Sequence, residues 1–450
     1  AIGQAYADSI AMLVISSVNA TASLGKGWGS LHETQDQRAI TAPITAFSAV
    51  ALSAEDLPEL IARAYAVFDS ERPRPVHISV PLDVLAAPVR WDWSNHVVRR
   101  PGRGVPSADV LEQAVATLAA AKRPMIIAGG GALAAGEALQ RLSTLLAAPF
   151  FSSVAGKGLL PINDPLNAGA TLCVEPGWQL ISEADVVLAV GTEMADTDYW
   201  RERLPIKGEL LRVDIDPRKF NDFYPCALAL HGDAHQTVLA LLAGLPPAPR
   251  DADASVKKVA TLRHAVALGH GPLQAIHQAI FERIEAELPA NAFISSDMTQ
   301  LAYTGNYAYP SRAPRSWLHP TGYGTLGYGL PAGIGAKFGA PQRPGLVLVG
   351  DGGFLYTAQE LATAVEELDS PLVVLLWNND ALGQIRDDML SLAIEPIGVL
   401  PRNPDFVLFA QAFGCAVYQP RSLDELQTDL RNGFKRKGVT LIELRHACAC

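Results

Sequence analysis

At 450 residues, with 49% hydrophobic and 18% charged side chains, the chain is too long for one ordinary domain, and its composition is that of a globular α/β protein, not a disordered one. A formal charge of −10 speaks against a phosphate-backbone partner, which needs clustered Lys and Arg, and the longest apolar runs, such as "PLVVLLW" (371–377), fall far short of a membrane span. Five scattered cysteines (Cys173, Cys226, Cys415, Cys448 and Cys450) form no disulfide framework and suit a reducing cytoplasm; the closing "HACAC" reads as a frayed end, not a closed metal site.

The chain opens at "AIGQAYADS", without Met and inside an element, so targeting cannot be judged from that start. Residues 1 to about 95 alternate apolar runs ("AMLVISSV", "RPVHISVPLDV") with a helical pattern ("AEDLPELIARAYAVF"), as in the later part of a parallel α/β domain. A Pro/Gly/Arg linker follows, "RRPGRGVPSAD". Residues 107–245 repeat the alternation with "RPMIIAGGG", "PFFSSV", "ADVVLAVGTEM" and "ELLRVDIDP". After a second hinge-like stretch, "GLPPAPRDADASV", residues 270–450 carry "AFISSD", "GLVLVGDGG", "PLVVLLWNND" and "VTLIEL" between helices. This pattern predicts three doubly wound parallel-sheet α/β domains in series, whose ligands sit at the carboxyl ends of strands. "IAGGGALAAG" lacks the Rossmann glycine spacing, so a tight strand-to-helix turn is expected there. In "HGDAHQ", His231 and His235 have possible metal spacing, but Asp233 precedes "AHQTVLALL" in the manner of a helix cap.

The third segment holds a constellation. Asp351 follows the predicted strand "GLVLVG", and Asn378 and Asn379 follow the next one; the helical "LYTAQELATAVEEL" between them completes a βαβ unit. Parallel strands joined this way often lie side by side, which brings the carboxylate and the carboxamides to one point. A carboxylate, a carboxamide oxygen and a backbone carbonyl form a hard oxygen set suited to Mg²⁺, which takes its further ligands from water or a phosphate. Gly352 and Gly353 permit close backbone approach to such a phosphate. Taken singly the pieces read as a helix cap and an Asn turn; at successive strand ends they read as a site.

The pattern GDG, about two dozen residues, then NN resembles the signature of thiamine diphosphate-dependent enzymes, and the surrounding residues look like the acetolactate synthase and 2-oxo acid decarboxylase branch. The resemblance implies thiamine diphosphate and Mg²⁺ as cofactors, with Asp351, Asn379 and the Ala381 carbonyl as metal ligands. The spacer is one residue longer than in several relatives around "EELDSP", which leaves Asn378 as the alternative ligand. "HPTGYGTLGYGLPAGIGAKFG" (319–339) resembles the stretch that contacts the aminopyrimidine ring, with Leu326 wedged under the cofactor and Gly324 beside it. "SSDMTQ" (295–300) resembles the segment that reaches the diphosphate, through Thr299 and Gln300. Gly350, Gly352 and Gly353 around the aspartate, and Gly383, Gln384 and Ile385 after the second strand, complete the implied cofactor-binding set. "RPRPVHISVPLDV" and "GKGLLPINDPLNAG" resemble the first and middle domains, so the likeness covers nearly the whole chain.

The implied cofactor acts as an electron sink for loss of carbon dioxide from a 2-oxo acid. The implied active site lies between the first domain of one subunit and the third of another, hence a homodimer at least and commonly a homotetramer. The family's activating glutamate falls upstream of "AIGQAYADS", and Glu33, in "LHETQDQ", sits too late to be that residue. A start absent from this sequence is the expectation; a member without its activator is the alternative.

Acetolactate synthases carry a large aromatic residue shortly after NN, and the matching position here is Asp388. An acid there disfavours a simple oxo acid and favours a substrate whose far end is cationic. Asp387, His32 and Glu33 would add polar or acidic contacts, and His319 stands where it could orient substrate. The plainer reading of Asp387 and Asp388 is a solvated helix face. The stretch looks most like 5-guanidino-2-oxopentanoate (2-ketoarginine) decarboxylases, so the expected products are 4-guanidinobutanal and carbon dioxide. Two rivals remain: an acetolactate synthase-like carboligase using pyruvate, marked by bound FAD, which is possible here but not favoured, and a catalytically silent cofactor-binding subunit.

Overall fold

The computed structural model describes residues 1–89 and 102–449; the end of the first predicted segment, the first residues of the linker and Cys450 lie outside them. The chain packs as two compact units, Ala1–Val105 with Ile215–Arg218 and His231–Asp233, and the remainder. Among the described residues no helix is long and apolar enough to cross a membrane.

The first unit carries a three-stranded parallel sheet, β1 (Leu13–Val18), β2 (Phe47–Val50) and β3 (Val76–Pro81), in the order β1-β3-β2. The central strand β3 is buried along its whole length, and helix Asp56–Ser70 packs Leu60 and Ala64 into the same core. Two polar side chains of β3, His77 and Ser79, are buried with it, and the larger is His77. Its ring nitrogens meet Ser16 Oγ at 2.7 Å, Thr41 Oγ1 at 2.8 Å and Ser48 Oγ at 2.9 Å, so its burial leaves no polar atom stranded.

The second unit holds two six-stranded parallel sheets. One contains β4 (Pro124–Ala128), β5 (Phe150–Ser152), β6 (Asn167–Gly169), β7 (Val186–Val190), β8 (Glu209–Asp214) and β9 (Leu228–His231), in the order β6-β5-β4-β7-β8-β9. The other contains β10 (Phe293–Ser296), β11 (Trp317–Leu318), β12 (Gly345–Gly350), β13 (Leu372–Asn378), β14 (Ala416–Tyr418) and β15 (Val439–Arg445), in the order β11-β10-β12-β13-β15-β14. Strands β4, β7, β12 and β13 are buried at every residue, as expected of aliphatic runs covered on both faces by crossover helices.

The strand order reverses between β4 and β7 in the first six-stranded sheet and between β10 and β12 in the second, whose far edge also carries β15 inside β14. Such a reversal splays the following loops apart and opens a crevice at the carboxyl ends. In the first sheet the crevice is closed by the chain itself: a Cβ on Gly129 would lie 2.6 Å from the Gly191 carbonyl, so the glycine-rich turn packs backbone against backbone. In the second sheet polar side chains converge there, and that sheet carries the candidate site.

Lys157, from the loop after β5, is 6% exposed and bonded to the third segment of the chain. Its Nζ donates to the carbonyls of Gly305 (2.6 Å), Asn306 (2.9 Å) and Tyr309 (2.7 Å), at the C-terminal end of helix Gln300–Ala308, and lies 4.6 Å from the Trp317 ring centre. Three donors meet carbonyls that a helix end leaves without intrahelical partners, where the dipole favours a cation. Burial pushes this ammonium down to about 7.

On the same unit His277, fully buried in helix Pro272–Glu287, holds Thr304 Oγ1 at 2.8 Å and packs edge-on against Trp377, while its Nε2 has no partner among the described residues. Burial, with a smaller push from His446, drives its imidazole from 6.5 down to about 4. Its contribution to stability is therefore complete above pH 6.5 and is lost as pH falls toward 4, by on the order of a few kcal/mol. Urea unfolding measured across that window should show His277→Asn losing less stability than wild type on acidification; parallel curves would contradict the assignment.

Candidate active site

The carboxyl ends of β10, β12 and β13 lie side by side, with Ser296 opposite Leu348 and Gly350 opposite Trp377 in register. The β12–β13 pairing predicted from the βαβ pattern is present. Asp351 is the first residue of helix Asp351–Leu355, directly after β12, and is 2% exposed. Burial raises its carboxyl above the ordinary range; hydrogen bonds from Asn403 and from the backbone N–H groups of Gly352 and Ala381 oppose this, and neighbouring Asp380 adds to the rise. No cationic side chain figures among these influences.

Asn379 comes to the same place. Its Oδ1 accepts from the Ala381 N–H at 3.3 Å, the group that also serves Asp351, and its Nδ2 donates to Gln300 Oε1 at 3.2 Å. Ala381 itself is 4% exposed, and Asp380 takes the left-handed conformation (φ 53°) that turns the chain there. Gln300 passes the contact on, donating from Nε2 to Asp387 Oδ2 at 2.9 Å, and Arg386 pairs with Asp387 at 2.9 Å. Gln300 begins helix Gln300–Ala308, with Thr299 as its N-cap residue in extended conformation.

The structure gives the glycines a role that spacing alone did not. A Cβ on Gly353 would lie 2.9 Å from Asp297 Oδ1, and one on Gly352 would lie 2.5 Å from Leu382 Cδ2. Packing against the fixed Asp297 carboxylate thus already favours glycine at 353, while at 352 a side chain would have to displace the end of Leu382. On Gly350 a Cβ would crowd Thr299 Oγ1 at 3.0 Å, and on Gly383 it would meet Asn379 Nδ2 at 2.5 Å, so these belong to the same tight junction. Leu326 is half-buried, with its Cδ2 3.6 Å from the Cβ position of Gly353, and Gly324 (φ 68°) faces Met298.

Asp297 was missed in the sequence. It follows β10 as Asp351 follows β12, and the shared pattern of an acid after a buried strand was the available signal. It is fully buried; Oδ1 accepts from Met298 N–H (2.8 Å) and Gly327 N–H (3.1 Å), and Oδ2 from Gly329 N–H (2.9 Å), which fixes the turn carrying Leu326. Burial raises its carboxyl and these N–H groups hold it back. Asn403, which touches Asp351, was also missed, because it lies two dozen residues beyond the NN pair on no recognisable motif.

Other candidates stand further out. Asp388 is exposed on helix Gly383–Ser391 and accepts from Gln384 Nε2 at 2.9 Å, with Ile385 exposed on the same helix. It acts on Tyr303, whose hydroxyl is pushed up to about 12 by burial and then by Asp297 and Asp388. Tyr303 in turn packs edge-on at 6.3 Å against His319. His319 Nδ1 lies 2.9 Å from Ser296 Oγ, and burial, with Lys157 second, holds its imidazole neutral, down to about 3.

His32 and Glu33 belong to the first unit. His32 is exposed in a left-handed conformation (φ 60°). Glu33 closes its own loop, its carboxylate accepting from the N–H groups of Gly27 (2.7 Å), Ser30 (3.0 Å) and Trp28 (3.3 Å). Slight desolvation raises its carboxyl, and the N–H groups of Ser30, Gly27, Gly29 and Trp28 together outweigh this and lower it.

Comparison with known proteins bears on this arrangement. Residues 297–444 match the thiamine pyrophosphate enzyme C-terminal TPP binding domain, and residues 111–241 match the central domain of the same enzymes. A Pseudomonas aeruginosa protein named "Probable 2-ketoarginine decarboxylase AruI" is 78% identical over 449 residues, covering 100% of this chain and 80% of that protein. The chain belongs to the thiamine pyrophosphate enzymes. Within the family it is more distantly similar to acetolactate synthases. Isozyme 3 large subunit of Escherichia coli is 28% identical over 455 residues (97% of this chain, 78% of that protein). The Methanocaldococcus jannaschii protein named "Probable acetolactate synthase large subunit" is 27% identical over 470 residues (98% and 78%). For a thiamine pyrophosphate enzyme, the donor set here is of the kind that fits a divalent cation beside the cofactor's diphosphate. Asp351 is buried with no cationic side chain paired to it among the described residues, a carboxamide oxygen shares its N–H donor, and hard oxygens of this kind suit Mg²⁺.

Removing the Asp297 carboxylate would strand three N–H groups at the turn that carries Leu326. Asp297→Ala should cost roughly 2–4 kcal/mol in urea unfolding. An unchanged unfolding midpoint would show that the turn does not depend on it.

Proposed function

We propose that the enzyme catalyses thiamine diphosphate- and Mg²⁺-dependent, non-oxidative decarboxylation of 5-guanidino-2-oxopentanoate to 4-guanidinobutanal and carbon dioxide. The observation that carries the cofactor chemistry is Asp351, a buried carboxylate at the strand-order reversal with no cationic partner among the described residues, sharing the Ala381 N–H with Asn379. The substrate is supported by the 78% identity to a protein named as a 2-ketoarginine decarboxylase and by the acids on helix Gly383–Ser391.

In this reading Asp351, Asn379 and the Ala381 carbonyl hold Mg²⁺, Thr299 and Gln300 face the diphosphate, and Leu326 supports the ring system. Bound there, thiamine diphosphate supplies the sink for the electron pair released as carbon dioxide leaves. The protein's own part is to hold and to exclude. Buried side chains around β10, β12 and β13 keep water from the ends of those strands, which strengthens each polar contact made there. The neutral His319 ring can orient a polar substrate group without adding charge. Asp388 has one neutral partner, Gln384, and sits exposed, so its carboxylate is open to a planar guanidinium. Glu33, whose carboxylate is held by its loop, and His32 are read as polar contacts that the first unit of a second subunit would bring, as the family resemblance implies. The reading includes assembly as a homodimer or homotetramer, which the family resemblance favours, and a cytoplasmic setting.

The test is carbon dioxide release from 5-guanidino-2-oxopentanoate, pyruvate and phenylpyruvate, with Mg²⁺ and thiamine diphosphate supplied. The guanidino acid should lead by roughly tenfold or more in kcat/KM, the value of one charge-assisted contact. Preference for pyruvate with acetolactate as product would overturn the substrate, and cofactor binding without turnover would make the chain a silent subunit. Asp388→Asn should lower kcat/KM for the guanidino acid by about tenfold and leave phenylpyruvate nearly unchanged; equal losses on both would remove Asp388 from cation recognition.

A further inference from the structure

Asn378 and Asn379 are adjacent in sequence and differently placed. Asn379 turns toward Gln300. Asn378 is 2% exposed and turns toward β15, where its Nδ2 donates to Glu443 Oε1 at 2.7 Å. Glu443 is itself 1% exposed; its Oε2 accepts from Gln419 Nε2 at 2.8 Å, and its Oε1 lies 3.3 Å from Arg445 Nε. The remaining Asn378 oxygen accepts from the Asp380 N–H at 3.0 Å and from Asn403 Nδ2 at 3.2 Å.

Asn403 lies just before helix Phe406–Ala412, and its amino group meets three oxygens: Asp351 Oδ2 at 2.7 Å, Asn378 Oδ1 at 3.2 Å and Asp380 Oδ1 at 3.2 Å. Its own Oδ1 is buried with no partner among the described residues. The amide orientation is thus set from the amino side alone, and the opposite orientation would aim an oxygen at three oxygens. A neutral donor between Asp351 and Asp380 eases the repulsion of two carboxylates without bringing a positive charge that would compete with a metal ion.

We propose that Asn403 is a positioning residue for the divalent cation: braced by Asn378 and Glu443, it binds one oxygen of Asp351 and fixes the rotamer in which that carboxylate meets the metal. This rests on the reading of Asp351 as a metal ligand. It also explains the paired asparagines, since one faces the cofactor side and the other anchors the brace. Partners of this kind orient a ligating carboxylate, and their loss costs roughly 10- to 100-fold in metal affinity.

The experiment is Mn²⁺ titration, read by electron paramagnetic resonance with thiamine diphosphate present, of wild type, Asp351→Asn, Asn403→Ala and Asn403→Ser. Wild type should bind and Asp351→Asn should not. The Asn403→Ala variant should bind at least about tenfold more weakly, with little change in the melting temperature of the apoprotein. Asn403→Ser, which keeps a single hydroxyl donor, should fall between and carries the test if the alanine variant folds poorly. Wild-type Mn²⁺ affinity in both Asn403 variants, even with a lowered melting temperature, would overturn the positioning role. Equal binding by wild type and Asp351→Asn would instead overturn the metal-ligand reading on which it rests.

Discussion

A carboxylate with 2% of its surface exposed needs compensation, and among the described residues Asp351 receives it from backbone N–H groups and one carboxamide. An uncompensated buried charge costs several kcal/mol, and a hydrogen bond to a charged group returns roughly 1.5–3 kcal/mol. The raised carboxyl of Asp351 shows that burial still outweighs these bonds. A divalent cation bound there, as proposed, would reverse that balance and account for a buried acid at the strand-order reversal. The register of β12 on β13, Gly350 against Trp377, brings Asn379 within reach of the same N–H donor, and the glycines after β12 leave room for Asp297 and Leu382.

The same solution recurs through the second unit. Asp297 ends β10 and is held by three N–H groups of the turn that carries Leu326; Lys157 is held by three carbonyls at the far end of the helix that Gln300 begins. Each is a buried charge met by backbone dipoles and not by an opposite side-chain charge. Backbone partners are fixed by the fold, so they hold a group in one geometry with little side-chain entropy to lose. Helix Gln300–Ala308 is held at both ends, by the Gln300–Asn379 side-chain hydrogen bond at the site and by Lys157 on its last carbonyls.

Much of this was legible in the sequence. The three parallel sheets followed from aliphatic runs separated by helical patterns, and the neighbouring ends of β12 and β13 followed from the βαβ unit between Asp351 and the asparagines. The family could be read from GDG and NN because both sit at strand ends, where spacing along the chain fixes position in space. What remained hidden depended on side chains meeting across long separations. Asn403 meets Asp351 across 52 positions and Asn378 meets Glu443 across 65, and no periodicity reports such contacts. Spacing also singled out Asp388, whereas it is Asp387 that bonds Gln300, a distinction of one residue on a helix that only the direction of each side chain resolves.

The central claim is that Asp351 is buried for a metal that carries the cofactor. Calorimetric titration of thiamine diphosphate into the wild-type protein, with Mg²⁺ and then with a chelator, tests it most directly when repeated on Asp351→Asn. The account predicts tight binding that requires Mg²⁺ and is lost in the variant. Binding of equal strength in the chelator, or binding that survives Asp351→Asn, would contradict it.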